Sequence, residues 1–205
     1  MELNYDHMRS FINIWLQKAD NTNTVPLDGV FDKFFTLWVA YNRLYEEAAH
    51  ILISRNHPLY KKFIAKRGSR IFSPPPDRVA GVDGVEVFCS KAMLKKFLDN
   101  SPSAISGIQN IAEAIYYGGF YIYTNYETGE PDSKRDHALI DKALKGCSKS
   151  VLSIIYQARC NLFHGQKSFT ENQRPLVEGM SAVICVVIQC LLHRIEIHIQ
   201  SEGYA

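Results

Sequence analysis

Apolar residues recur along most of this chain at intervals of three and four, the period of one helix face, and strict alternation over several residues is rare. The first such pattern covers about Tyr5 to Lys18 and sets Met8, Phe11, Ile14 and Trp15 on one face. The stretch DNTNTVPLDG then supplies turn and capping residues, and Pro26 suits a helix start. A long helix is predicted from about Leu27 to Ser54, with Phe31, Phe34, Phe35, Trp38, Tyr41, Leu44 and Tyr45 along one stripe. So many aromatic side chains on one face belong in a core.

Between Arg55 and Ser90 the period is lost, and HP, RGSR, SPPPD and GVDGVEVF punctuate the chain with proline and glycine. An irregular insertion at about 55–90 is expected, with at most a short strand at Val85 to Phe88. Two helices follow in SKAMLKKFLDN and SPSAISGIQNIAEAIYYGG, the second capped by Ser101 with Pro102 at its first position. TNYETGEPDSKRD is a loop. Further helices are predicted from about Lys134 to Lys145, closed by Gly146, from Ser148 to about Phe163, and from roughly Pro175 to Ile199. The expectation is one all-α domain over residues 1–205, an antiparallel helical bundle carrying the 55–90 insertion.

Composition narrows the partners. A formal net charge of +2 over 205 residues excludes a polycation that holds nucleic acid by bulk attraction, so any such partner must be bound locally. Five cysteines, at 89, 147, 160, 185 and 190, form no Cys-x-x-Cys pair and leave an odd count. That argues against a disulfide framework and a zinc ribbon, and fits a reducing cytosol. The first twenty residues mix polar side chains into the apolar positions and lack the unbroken core of a secretion signal. The most apolar run, Ala182 to Leu192, is too short to span a bilayer and is followed at once by His193, Arg194 and Glu196, so a buried helix and no membrane association are expected. The chain is expected to be cytoplasmic.

Candidate chemistry concentrates in YQARCNLFHGQKS, Tyr156 to Ser168. On a helical wheel Val151, Ile155, Ala158 and Leu162 fall within about 60° of one another, flanked by Leu152 and Ile154. Arg159 then lies near one edge of this stripe, Asn161 near the other, and His164 on the far side. A regular helix would not aim Arg159 and His164 at one point. Gly165 could end the helix and let its last turn swing round, or a twofold axis could bring in a second copy. Asn161 and His164, three apart, can touch and fix the imidazole tautomer. Histidine followed by glycine is equally a good ordinary helix C-terminus, where a cation meets the negative end of the dipole. Residue physics leaves both readings open.

The segment ARCNLFHGQKS resembles the Arg-x4-6-His signature of the HEPN superfamily, including the polar residue often found between the two, here Asn161. FFTLWVAYNRLYEE is similar to the aromatic-rich early helix of many HEPN proteins of prokaryotic defence and toxin systems. The resemblance implies a HEPN-like bundle and a metal-independent endoribonuclease, with Arg159 and His164 as the catalytic pair and Asn161 as a positioning residue. It implies no cofactor, an RNA substrate with transfer RNA among the candidates, a homodimer that completes the site, and an antitoxin or sensor protein as a further partner. The residue types suit that chemistry. RNA carries its own nucleophile in the 2′-hydroxyl, histidine titrates near neutrality, and arginine offers a charged fork of donors to phosphate oxygens. A non-catalytic HEPN module that binds RNA, nucleotide or a partner protein is the alternative.

Other groups were weighed beside this pair. LYKKFIAKRGSRIF gathers Lys61, Lys62, Lys66, Arg67 and Arg70 with Tyr60, Phe63 and Phe72, which suits either an RNA-tracking surface or an ordinary solvated face. Lys91, Lys95 and Lys96 stand in the same position. His193 and His198, five apart, do not align as two metal ligands on one helix face, so with Glu196 they fit the polar end of a buried helix better. Glu46 and Glu47 adjoin and point apart, a poor carboxylate pair. Cys160 has no acid or basic partner in the motif beyond Arg159 and is taken as a packed thiol. With no phosphate-cradling glycine loop or nucleophile elbow, classical nucleotide hydrolysis is not expected. The last helix is apolar nearly all round from Met180 to Leu192, which needs burial in the core or across a twofold interface.

Overall fold

The computed structural model describes residues 5–61, 76–163 and 170–202. Helices fill most of them: α1 (Tyr5–Asp20), α2 (Leu27–Ser54), α3 (Val85–Cys89), α4 (Lys91–Asp99), α5 (Pro102–Tyr116), α6 (Ser133–Leu144), α7 (Ser148–Phe163) and α8 (Arg174–Glu202). A π-helical turn, Val79–Gly84, leads directly into α3. Among the described residues there is no β-strand, only a single antiparallel bridge between Thr124 and Pro131. The fold is all-α.

Local chemistry sets the helix ends. Ser101 Oγ accepts from Ala104 N at 3.3 Å to start α5, with Pro102 at its first position, and Asp132 Oδ1 accepts from Arg135 N at 3.1 Å to start α6. That cap opens α6 at Ser133, one residue before the predicted start at about Lys134. Gly146 closes α6 with φ +82°, a conformation that side chains with a Cβ rarely adopt.

α8 runs through the core, packed against α2 on one side and α5 on the other. Val177, Met180, Val183, Ile184, Val187 and Ile188 are among its buried residues. An 18-residue window within Glu171–Ser201 has a mean hydropathy of 2.0, enough by length and composition to cross a membrane, yet 67% of that window is buried inside the protein. Most of that apolar surface is therefore covered within the subunit. Gly107 and Gly179 mark where α5 and α8 cross: a Cβ at Gly107 would lie 2.7 Å from the Gly179 carbonyl oxygen, and one at Gly179 2.5 Å from that of Gly107. No larger side chain fits there without moving a backbone.

The aromatic stripe of α2 is buried as its spacing predicts, with Phe31, Phe34, Trp38, Tyr41, Leu44 and Tyr45 each at most 4% exposed. α1 lies against α2, but on a face turned from the predicted one. Met8, Ile12 and Ala19 are buried, Phe11 and Trp15 flank them half-covered, and Ile14 is 61% exposed. Ile14 follows Ile12 by two residues, about 200° round the helix, so only one of the two can face the core.

The insertion departs from expectation where it is described. Val85 to Phe88 is helical, not a strand. Val82, Val85 and Phe88 are buried at a spacing of three, the helical period that the glycines obscured in the sequence. Gly81 lets this segment approach α2, since a Cβ there would stand 3.3 Å from the Tyr45 ring, and the Tyr41 hydroxyl donates to the Gly81 carbonyl. Ser148 Oγ donates to buried Glu86 Oε1 at 3.1 Å, and Lys149 pairs with Asp83 at 2.5 Å. These contacts seat the start of α7 against the insertion.

Candidate active site around Arg159

α7 buries the stripe read from its sequence: Val151, Leu152, Ile154, Ile155, Ala158 and Leu162 are each at most 3% exposed. Arg159 emerges half-buried at one edge of that stripe, just before the last turn of the helix. Its guanidinium lies between two rings, with Cζ 5.0 Å from the centroid of Trp38 and 4.5 Å from that of Phe163. Phe163 is 55% exposed and meets Phe35 edge-on at 4.6 Å and 75°. Rings hold a cation through their quadrupole without neutralising it.

Among the described residues Arg159 forms no ion pair with a carboxylate, and its buried Nε–H has no acceptor. Nη1 contacts the Cys160 sulfur at 4.0 Å. The buried Nε1–H of Trp38 also lacks a partner among the described residues. Donors of this kind in native structures call for an explanation, because an unmade hydrogen bond to a buried group costs about 1 to 3 kcal/mol.

An acid does lie close by. Asp77, at the surface, accepts hydrogen bonds from two phenols: Tyr156 donates to Oδ2 at 2.8 Å and Tyr45 donates to Oδ1. The Tyr45 oxygen also contacts Asn42 Oδ1, but one phenolic proton serves both acceptors and the charged one attracts it more strongly. Burial, followed by the bond to Asp77, raises both tyrosines above the ordinary phenol range, and the Arg159 charge pulls Tyr45 part of the way back. Both therefore remain donors at neutral pH. Tyr156 precedes Arg159 by one helical turn, and Trp38 lies 6.4 Å from Tyr45 and 6.1 Å from Tyr156 between ring centroids, so clasp and guanidinium share one aromatic platform.

Asn161 is on the opposite edge of α7 and does not join this group. It is 6% exposed, its Nδ2 donates to the Ile122 carbonyl at 2.9 Å, and its Oδ1 accepts from Gln157 at 3.1 Å. These bonds tie α7 to the chain that follows α5. His164 lies outside the described residues, as do Lys62, Lys66, Arg67 and Arg70; Lys61 is described and exposed. Lys95 pairs with Asp99 at 2.5 Å.

The C-terminal polar cluster is dispersed among unrelated partners. His193 packs against Phe97, Glu196 accepts from Tyr5 at 2.5 Å, and His198 Nδ1 meets Arg55 at 2.6 Å. Among the described residues no three His, Cys, Asp or Glu side chains gather as a metal would require. Cys160 is a free thiol.

Sequence reasoning located Arg159 but missed Asp77, Tyr45 and Tyr156 as its neighbours. Tyr156, one turn before Arg159, was within reach of a helical wheel. Asp77 lies in the proline-broken insertion, where no period exists to place it. No family model, curated protein or solved structure matches the chain.

Proposed function

We propose that the protein is a metal-independent endoribonuclease of the HEPN toxin or defence type, in which Arg159 and His164 act on one phosphodiester. The observation that carries the proposal is the state of Arg159: a guanidinium near the C-terminal end of α7, held between rings, with an unused donor and no acid partner among the described residues. A structural arginine normally spends its donors on a carboxylate or on helix carbonyls. This one retains them for an anion.

In the proposed reaction the 2′-oxygen attacks phosphorus while an imidazole base takes its proton. The bond from phosphorus to the 5′-oxygen breaks, and an imidazolium protonates the departing oxygen. Arg159 binds the phosphate oxygens, where negative charge grows. The products are a 2′,3′-cyclic phosphate and a free 5′-hydroxyl. His164 follows Phe163 directly, so base and guanidinium arise from the same end of α7. Pairing of two chains about a twofold axis, RNA of the transfer-RNA class as substrate, an antitoxin or sensor protein as regulator and a cytosolic setting belong to the same reading. The resemblance supports them; α8 adds nothing to them, because most of its apolar surface is buried within the subunit.

The test is incubation of transfer RNA or total RNA with the purified protein in EDTA, with product ends mapped chemically. Wild type should leave cyclic phosphates, and His164→Ala and Arg159→Lys should each slow cleavage by about 10²-fold or more. Cleavage that persists in both variants overturns the proposal, and binding without cleavage by wild type leaves a recognition module.

A further inference from the structure

An arginine that has no ion pair among the described residues, with an acid on the same group of rings, needs a cause. Asp77 and Arg159 adjoin the same ring platform, and no ion pair forms between them. Both oxygens of the Asp77 carboxylate are occupied, Oδ1 by Tyr45 from α2 and Oδ2 by Tyr156 from α7. The two phenols reach it from different helices, which fixes its position and the direction of its lone pairs.

We infer that Tyr45 and Tyr156 are positioning residues that hold the Asp77 carboxylate off Arg159, so that the guanidinium keeps its donors for a phosphate. An arginine bound to carboxylate has its planar fork filled, and an incoming phosphate must first break that pair. The phenols satisfy the acid instead. They are neutral and spend a single donor each, so the acid is satisfied while the donor fork of Arg159 stays open. Trp38 completes the arrangement by supporting the guanidinium at 5.0 Å and both phenol rings at 6.1 and 6.4 Å. In purpose the inference rests on the nuclease proposal; in geometry it does not.

Two measurements test it. The first is a crystal structure of Tyr45→Phe/Tyr156→Phe, which removes both donors and keeps the rings. Asp77 should swing to within about 4 Å of the Arg159 guanidinium, the reach of an ion pair. An Asp77 that stays in place, or turns to solvent and leaves Arg159 unpaired, overturns the inference. The second is fluorescence-anisotropy titration with a labelled single-stranded oligodeoxynucleotide, which lacks the 2′-hydroxyl and cannot be cleaved by this chemistry. The double variant should bind about fivefold more weakly, the scale of a half-exposed ion pair that must be broken. Adding Asp77→Asn should restore binding, and Asp77→Asn alone should bind at least as tightly as wild type.

Failure of Asp77→Asn to rescue overturns the inference, as does weakened binding by Asp77→Asn alone. If the double variant does not fold by circular dichroism, Tyr156→Phe with and without Asp77→Asn carries the same comparison. A protein that shows this order of affinities and the Asp77 movement without cleaving the matching ribo-oligonucleotide loses the nuclease proposal and keeps the inference. Cleavage of RNA with no rescue does the reverse.

Discussion

Asp136 and Asn161 grip the same residue from its two backbone ends. The Asp136 carboxylate accepts from Ile122 N at 2.8 Å and from Tyr123 N at 3.1 Å, while Asn161 Nδ2 donates to the Ile122 carbonyl at 2.9 Å. One comes from α6 and the other from α7, so the segment between α5 and α6 is held much as a strand would be, with side chains in place of a second strand. Ile122 is 3% exposed, and without these partners its peptide groups would be buried unpaired.

Asn161→Ala should therefore cost about 1 to 3 kcal/mol of stability, the penalty for leaving a buried carbonyl unsatisfied. Urea unfolding measures it. Because the side chain faces Ile122 and not Arg159, the activity per folded molecule should fall far less than in Arg159 or His164 variants, and a parallel collapse would return Asn161 to the reaction.

Asp136 introduces a pH dependence. Burial raises its carboxyl above the ordinary value, and the two backbone N–H donors only partly offset this. The folded state then holds the proton more tightly than the unfolded one. Its contribution to stability is full below the unfolded pKa of about 3.9 and is lost as pH rises through the higher folded value. The stability difference between wild type and Asp136→Asn should shrink over that interval and then level off. Thermal melts at stepped pH check it, and a difference that grows with pH would contradict the sign.

At the crossing of α5 and α8, Gly107→Ala or Gly179→Ala drives a methyl group into a carbonyl oxygen, at 2.7 and 2.5 Å respectively. Each should destabilise the fold by about 1 to 3 kcal/mol through overpacking. Differential scanning calorimetry would show it as a lower Tm; unchanged melting would mean the helices can part at no cost.

Arg159 serves packing as well as any chemistry, and the two can be separated. Arg159→Ala gives up both ring contacts and should lose about 1 to 2 kcal/mol. Arg159→Lys keeps a cation over the rings and should retain most of that, while losing the planar fork. Nuclease activity should fall in both. Activity that tracks stability across the pair would assign Arg159 to packing alone.

Much of this architecture was legible because long helices repeat one instruction many times. The limits of α2 and α7 follow from five or more apolar residues on a single stripe, and the wheel for α7 placed Arg159 and Asn161 on opposite edges, where they stand. A helix with few buried positions offers less redundancy. In α1 the large rings of Phe11 and Trp15 drew Ile14 into the predicted face, although smaller Ala19 takes the buried position. The surroundings of Arg159 were less legible still, since Asp77 meets Tyr45 and Tyr156 across 32 and 79 residues of chain. No local period reports a contact between segments so far apart.

The packing of α8 against α2 also sets an order of events at the ribosome. The aromatic face of α2 emerges early, and one of its main coverings is synthesised only after α7. Until then the nascent chain carries part of that apolar face uncovered, a greasy surface of the kind that chaperones recognise.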